Sequence, residues 1–260
     1  PKRKISIQLG NPLQLSKMFN KNVVFGFRSK DISSGGQGAP LAPIYHKFII
    51  EKLNLELPSC ILNIGGVSNL TYWDGKKLLG FDTGPGNALM DDFSAKAFNK
   101  SFDENGNFAS QGYPIKEEVA KFLQHYFFKK TPPKSLDRNS FLTPYKELIQ
   151  KNYSSFDIMA TFLDYTSETI VAGFEMLPKK VENIIVTGGG YKNISLMKRL
   201  KEKLKLNFLD EKEIGLNFDY IEAELIAYLS ARSIYKLPIT FPSTTGISEP
   251  LSGGKLYKYL

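Results

Sequence analysis

The sequence predicts an α/β fold, and three stretches carry the prediction. Residues 183–187, Asn-Ile-Ile-Val-Thr, read as a buried strand running straight into Gly188-Gly189-Gly190, with a helix over 194–205 behind it. Strand, glycine turn and helix in that order is the arrangement with which α/β proteins hold phosphate or nucleotide. Residues 59–64 and 70–73 are apolar runs flanking Gly65-Gly66, and Asp74-Gly75 turns the chain into a third run over 77–81. An Asp-Gly pair between strand-like runs is a hairpin signal. Asp82 follows the third run, and Thr83-Gly84-Pro85-Gly86-Asn87 leads into a helix over 88–98. Strands interleaved with helices indicate helices packed on a sheet.

The remaining elements follow in chain order. Residues 4–9 alternate as a short strand, closed by Gly10-Asn11-Pro12, which starts a helix over 13–19. Asn20-Lys21-Asn22 is a turn and 23–27 a strand. The loop 35–40, Gly-Gly-Gln-Gly-Ala-Pro, is too rich in glycine to be a mere connector. A helix over 42–53 carries His46, read as a satisfied side chain rather than a catalyst. The polar turn 103–107 lacks the spacing and the closing Glu of a calcium loop. Residues 115–127 have an amphipathic helical pattern, and 131–138 form an extended loop whose Lys134 and Arg138 read as exposed bases. The long helix 156–177 repeats apolar positions at Ile158, Phe162, Tyr165 and Ala172, with Ser155 or Asp157 as its cap. A short strand starts at Phe208, a helix covers 221–235 with Glu222 and Glu224 near its start, and the tail 240–260 ends in a strand over 255–259.

Composition narrows the function classes. Of 260 residues, 42% are hydrophobic and 23% charged, ordinary for a globular protein. The net charge of +8 comes from 34 Lys and Arg against 26 acids, spread over helix faces such as 198–205. That spread argues against nucleic acid as partner and suits an anionic substrate by steering. The single Cys60 lies in an apolar run without a neighbouring His, which disfavours covalent catalysis, and with only His46 and His125 besides it no zinc set is expected. One Cys also fits a reducing, cytoplasmic setting. No apolar run reaches the length of a membrane span, and no signal peptide precedes the first strand, so no membrane partner is expected. The residues alone support phosphoryl transfer helped by a carboxylate. A strand-terminal Asp82 between glycine clusters can be held rigidly while backbone N–H groups face an anion. The bland alternative is a set of tight turns between strands.

Several motifs together resemble one family. Residues 7–12 with Phe27-Arg28, Asp31 and 35–40 match an I-G-[DN]-P … F-R … D … G-G-Q-G-A-P run. Asn63-Ile64-Gly65-Gly66 with Asn69 matches N-I-G-G-x-x-N, and residues 80–87 with Asp91 match G-F-D-[TC]-G-P-G-N … D. Pro133-Lys134-Ser135 with Arg138, Gly188-Gly189-Gly190 with Asn193, Glu222-Ala223, and Pro242-Ser243 with Thr245-Gly246 complete a series spanning the chain. In these the sequence resembles the 1,6-anhydro-N-acetylmuramic acid kinases. The resemblance implies an actin-like fold of two RNase H-like lobes, ATP and Mg²⁺ in the cleft, and a homodimer. It implies hydrolytic opening and phosphorylation of the anhydro-sugar to N-acetylmuramate 6-phosphate during peptidoglycan recycling. On that template residues 1–54 are the end of the first lobe and 55–260 the second, with the tail returning to the first.

The same resemblance assigns Asp82 as catalytic base and Glu222 as a carboxylate positioning sugar and water. Nucleotide and phosphate fall to Asn63, Gly65, Gly66, Asn69, Thr83, Gly84, Gly188, Gly189, Gly190 and Asn193. Arg28, Asp31, Gly36, Gln37, Gly38, Lys134 and Arg138 are expected to bind substrate, and no protein metal site is expected. The chain departs from the pattern at Gly26, where the family has Asp, at Ser29-Lys30 in place of an Arg pair, and at Glu224. The family's first phosphate loop, G-T-S-x-D-G-x-D, does not occur in these 260 residues. The alternative expectation is therefore a truncated or non-catalytic nucleotide-binding protein of the same superfamily.

Overall fold

The computed structural model describes residues 6–259. In chain order its elements are α1 (Pro12–Phe19), β1 (Val23–Phe25), α2 (Ser29–Ser33), α3 (Pro43–Lys52), β2 (Ser59–Ile64), β3 (Val67–Trp73), β4 (Leu78–Pro85), α4 (Ala88–Phe98) and α5 (Lys116–Leu123). They continue with α6 (Leu142–Ile149), α7 (Ser155–Glu175), β5 (Asn183–Thr187), α8 (Ile194–Leu204), β6 (Asn207–Leu209), α9 (Glu211–Ile214), α10 (Ile221–Ile234), α11 (Pro242–Thr245) and β7 (Lys255–Tyr257).

The main sheet runs β4-β3-β2-β5-β6. Tight turns join β2, β3 and β4 into an antiparallel meander. By contrast β5 lies parallel to β2, and β6 parallel to β5. Parallel neighbours need a crossover, which the helices between β4 and β5 and α8 between β5 and β6 provide. The mixed α/β class predicted from the interleaved pattern is the class observed.

Both faces of the sheet are covered, so its strands read as near-continuous apolar runs. Alternation sorts them: Cys60, Leu62 and Ile64 face the core formed with Phe162 and Tyr165 of α7, whereas Ile61 and Ile185 face Ile49, Ile50 and Leu229 of α3 and α10. Ser154 caps α7, accepting from the N–H of Asp157 at 3.1 Å, so the cap lies one residue before the earlier of the two expected. Asp164 of α7 is fully buried and held by Lys116 at 2.7 Å and by Arg199, tying α5 and α8 to it. Asp164→Ala removes the shared partner of these partly exposed cations and lowers stability by about 1 kcal/mol, readable as a fall in thermal midpoint with nucleotide affinity retained.

A second, two-stranded sheet pairs β1 with β7, Val24 opposite Leu256, and returns the chain's last strand to residues 23–25. Of the strand expected over 4–9, residues 4 and 5 lie outside the described residues and 6–9 form no strand. The helix expected over 115–127 stops at Leu123, and a 3₁₀ turn, Tyr126–Lys129, follows. The helix α6 was not foreseen. His46 is buried, hydrogen-bonded to Thr71 Oγ1 at 2.7 Å, and burial pushes its pKa down to about 3, as a structural histidine should be.

Candidate active site

Across four strands of the sheet runs one polar row. Asn63 of β2 is paired on one side with Thr187 of β5 and on the other with Asn69 of β3, and Asn69 is paired with Asp82 of β4. The row borders a cavity of about 590 Å³ lined by Arg28, Asn63, Asn69 and Asp82 on its polar side, with Leu225 and Leu229 of α10 on the other.

Asp82 is not strand-terminal as expected, because β4 continues to Pro85. A register shift opposite Ser68/Asn69 leaves Thr83 as an extra residue, since Asn69 pairs with Asp82 but Ser68 pairs with Gly84. Such a bulge bends a strand and re-aims its side chains. Here it sends both Thr83 and Gly84 onto α7: a Cβ on Gly84 would stand 2.5 Å from Thr169 Oγ1, and Gly173 lies against the Thr83 methyl. Neither residue lines this cavity, and both pack against α7.

The segment 134–136 lies alongside Asp82. The Asp82 N–H donates to Lys134 O at 2.9 Å, and the Leu136 N–H donates to Asp82 Oδ2 at 2.7 Å. Burial raises the Asp82 pKa to about 7, opposed by the Leu136 bond and by the charges of Arg28 and Lys134. A carboxyl group poised near neutrality in a cavity is matched to proton transfer. Beside it Asn69 Oδ1 is buried without a hydrogen-bond partner among the described residues.

The glycines divide by what surrounds them. A Cβ on Gly65 or Gly66 would meet nothing nearer than 3.6 Å and 3.8 Å, and neither needs a left-handed backbone. No packing demand within the chain accounts for them. Their carbonyls accept from the N–H groups of Asn87 (2.7 Å) and Gly86 (2.9 Å). Planar trans peptides therefore turn the N–H groups of Gly66 and Val67 the opposite way, outward from this contact. Gly189 is similar, with Asn87 Nδ2 at 3.5 Å. By contrast Gly188, at φ +78°, and Gly190 would drive a side chain into Asn63 or Ile64. Gly189 also lines a second cavity of about 470 Å³ with Asn87, Asp91, Lys192 and Asn193. Asp91 there is raised to about 6 by burial and by Asp92, against Arg138. Asn193 lies at this cavity while its side chain caps α8, accepting from the Leu196 N–H at 3.0 Å.

Most of the residues expected on substrate do not line the larger of these two cavities. Asp31 is buried with both oxygens engaged, by the Gly38 N–H at 2.7 Å and the Thr245 hydroxyl at 2.6 Å. A Cβ on Gly36 would strike Asp31, and Gly38 sits at φ +72° against Ile32. Gln37 is bonded to Pro133 and Ser135. Lys134, expected as an exposed base, is 4% exposed, 4.6 Å above the Phe127 ring, and lowered to about 8 by burial. Arg138 pairs with Asp92 at 2.6 Å and flanks the Gly66 tip rather than the larger cavity. Arg28 lines that cavity as expected. Glu222 is exposed, one turn before Leu225 and Ile226 on the α10 face that lines it. Thr187 and the Leu136 N–H were missed. A polar residue closing a buried strand is a readable signal for the first, but a backbone donor from a loop has none.

A family model described as anhydro-N-acetylmuramic acid kinase matches residues 1–259. Among curated relatives, the anhydro-N-acetylmuramic acid kinase of Rhodopseudomonas palustris (strain HaA2) is 41% identical over 258 residues, 98% of this chain and 69% of its own. That of Nitrobacter winogradskyi is 40% identical over 256 residues, again 98% and 69%. Among solved structures, the activator of 2-hydroxyisocaproyl-CoA dehydratase from Clostridium difficile aligns over 74% of this chain and 67% of its own at 14% identity and TM-score 0.46. A xylulose kinase from Lactobacillus acidophilus aligns over 70% and 42% at 11% identity and TM-score 0.41. Sequence identity of this extent, end to end along the chain, decides the assignment: the chain belongs to the anhydro-N-acetylmuramic acid kinase family.

Proposed function

We propose that in this ATP-dependent sugar kinase of peptidoglycan recycling Asp82 is the general base, acting in the 590 Å³ cavity as the sugar site. The carrying observation is the buried carboxyl near neutrality at the end of the polar row, with one oxygen fixed by Leu136 and the other free of that bond. Asp82 takes a proton from the water that attacks the anomeric carbon of 1,6-anhydro-N-acetylmuramic acid. The bond from that carbon to O6 breaks, and O6 takes the γ-phosphoryl group of ATP, giving N-acetylmuramate 6-phosphate and ADP. Glu222, one turn before the α10 residues that line the cavity, positions sugar and water, and Arg28 offers the cavity a cation.

On this reading the outward N–H groups at the Gly65-Gly66 tip receive the phosphates, and the 470 Å³ cavity beside Gly189 takes the nucleoside side. Mg²⁺ would ride on the phosphates, since it binds through substrate oxygens plus few protein ones. Bound there it neutralises phosphate charge. A homodimer and a cytoplasmic location accompany the family reading. Among the described residues no helix is long and apolar enough to cross a membrane.

ADP release coupled to 1,6-anhydro-N-acetylmuramic acid tests the reading. Sugar-dependent turnover supports it, and ADP release indifferent to the sugar overturns it. Gly189→Val gives a narrower test. With only Asn87 Nδ2 in ordinary contact with its Cβ, at 3.5 Å, the variant folds, yet the added side chain crowds the smaller cavity that Gly189 lines, so ATP affinity falls at least about tenfold. Unchanged affinity in a folded variant makes the turn purely structural.

A further inference from the structure

We infer that Gln37 is a positioning residue for Asp82, acting through the segment 133–136 rather than on the sugar. The inference rests on Asp82 being the base proposed above. Gln37 Nε2 donates to Pro133 O at 3.2 Å, and Oε1 accepts from the Ser135 hydroxyl at 2.7 Å. Its own N–H donates to Thr245 O at 2.9 Å, and the Thr245 hydroxyl donates to Asp31 at 2.6 Å. Both ends of the amide are thus engaged, and the residue does not line the sugar cavity. What it grips is the two residues that flank Lys134, whose carbonyl takes the Asp82 N–H. Immediately after Ser135 comes Leu136, whose N–H holds Asp82 Oδ2.

The physical demand is plain. Residues 131–137 have no regular secondary structure, and a loop without ladder bonds keeps a backbone donor on a carboxylate only when something else fixes it. A side-chain amide bonding a backbone carbonyl and a side-chain hydroxyl two residues apart is such a fixture. It presents both a donor and an acceptor, so neither an acid nor an apolar residue of the same length can replace it. The same bonds tie residues 31–38 and Thr245 to the base, which gives the glycine-rich loop a task at the site without any substrate contact.

The test is NMR on the whole chain. The Asp82 carboxyl is titrated by ¹³C shift, assigned by its absence in Asp82→Asn, and the Leu136 amide proton is followed in parallel. In wild type the midpoint is expected near 7, because burial raises it. Gln37→Met keeps length but removes both bonds, and Ser135→Ala removes one. Each is expected to quicken Leu136 amide exchange, about tenfold for Gln37→Met, and to raise the Asp82 midpoint by about half a unit to one unit, since a bond to the charged form is lost. Combining the two substitutions adds little beyond Gln37→Met, because they break one linkage. Unchanged exchange and midpoint in both variants overturn the inference, as does a midpoint that falls, which would mean water entry rather than a lost donor. Should Gln37→Met fail to fold, Ser135→Ala decides alone. A wild-type midpoint near 4 would instead defeat the environment argued for the base, so the two failures are distinct.

Discussion

Asp82→Asn lowers sugar phosphorylation by about 10²–10⁴-fold while ATP still binds, the loss usual for a positioned general base. The substitution keeps an oxygen to accept from Leu136 and preserves the shape of the row, so the loss is of proton acceptance. Activity within threefold of wild type would remove Asp82 from the role. The wild-type rate at limiting substrate should climb with pH through about 7 as the carboxyl gives up its proton. Stability moves the opposite way. The folded pKa lies above the ordinary 3.8, so the folded form binds the proton more tightly. The contribution is complete below about pH 4 and is lost as pH rises through about 7. Asp82→Asn is therefore more stable than wild type at pH 8, by up to about 4 kcal/mol if the full shift is expressed, and matches it below pH 4. Thermal midpoints at the two pH values check this. A variant less stable than wild type at pH 8 contradicts the buried, poised carboxyl.

The second large effect separates two glycines of the same motif region. Gly86→Ala places a methyl group into Gly65 O and 3.0 Å from Ser68 Oγ, which forces apart the contact where Gly86 and Asn87 donate to Gly66 and Gly65. Both stability and phosphoryl transfer then fall, transfer by at least about a hundredfold because displacement of a positioned group by an ångström has that effect. Gly66→Ala meets nothing within 3.8 Å and leaves the fold intact. Its methyl group stands at the tip proposed to receive phosphate, so ATP affinity falls with the thermal midpoint unchanged. Differential scanning calorimetry with nucleotide titration distinguishes them, and equal behaviour of the two variants would refute the division.

The sequence by itself determined the mixed α/β class and nearly every strand of the main sheet, and it singled out Asp82 as the candidate base. Each rests on local chemistry: β2 and β5 are apolar runs whose length and neighbours allow little else, Asp74-Gly75 is a turn by conformation, and Asp82 is an acid where an apolar run ends. The motif series identified the family for the same reason, since it is a property of residue order. Tertiary structure alone decided which motif residues face the cavities. That Thr83 and Gly84 pack on α7 follows from the bulge in β4, and strand alternation cannot be counted through an extra residue. Lys134 looked like an exposed base, and its burial over Phe127 depends on partners distant in the fold. Asp31, Gly36, Gln37 and Gly38 looked like a ligand loop. The side chains of Asp31 and Gln37 bond to Thr245, Pro133 and Ser135, some 100 to 200 residues along the chain, where no local pattern reaches. Composition and period report what a segment buries, whereas a side chain's hydrogen-bond partner is fixed only once remote segments have packed.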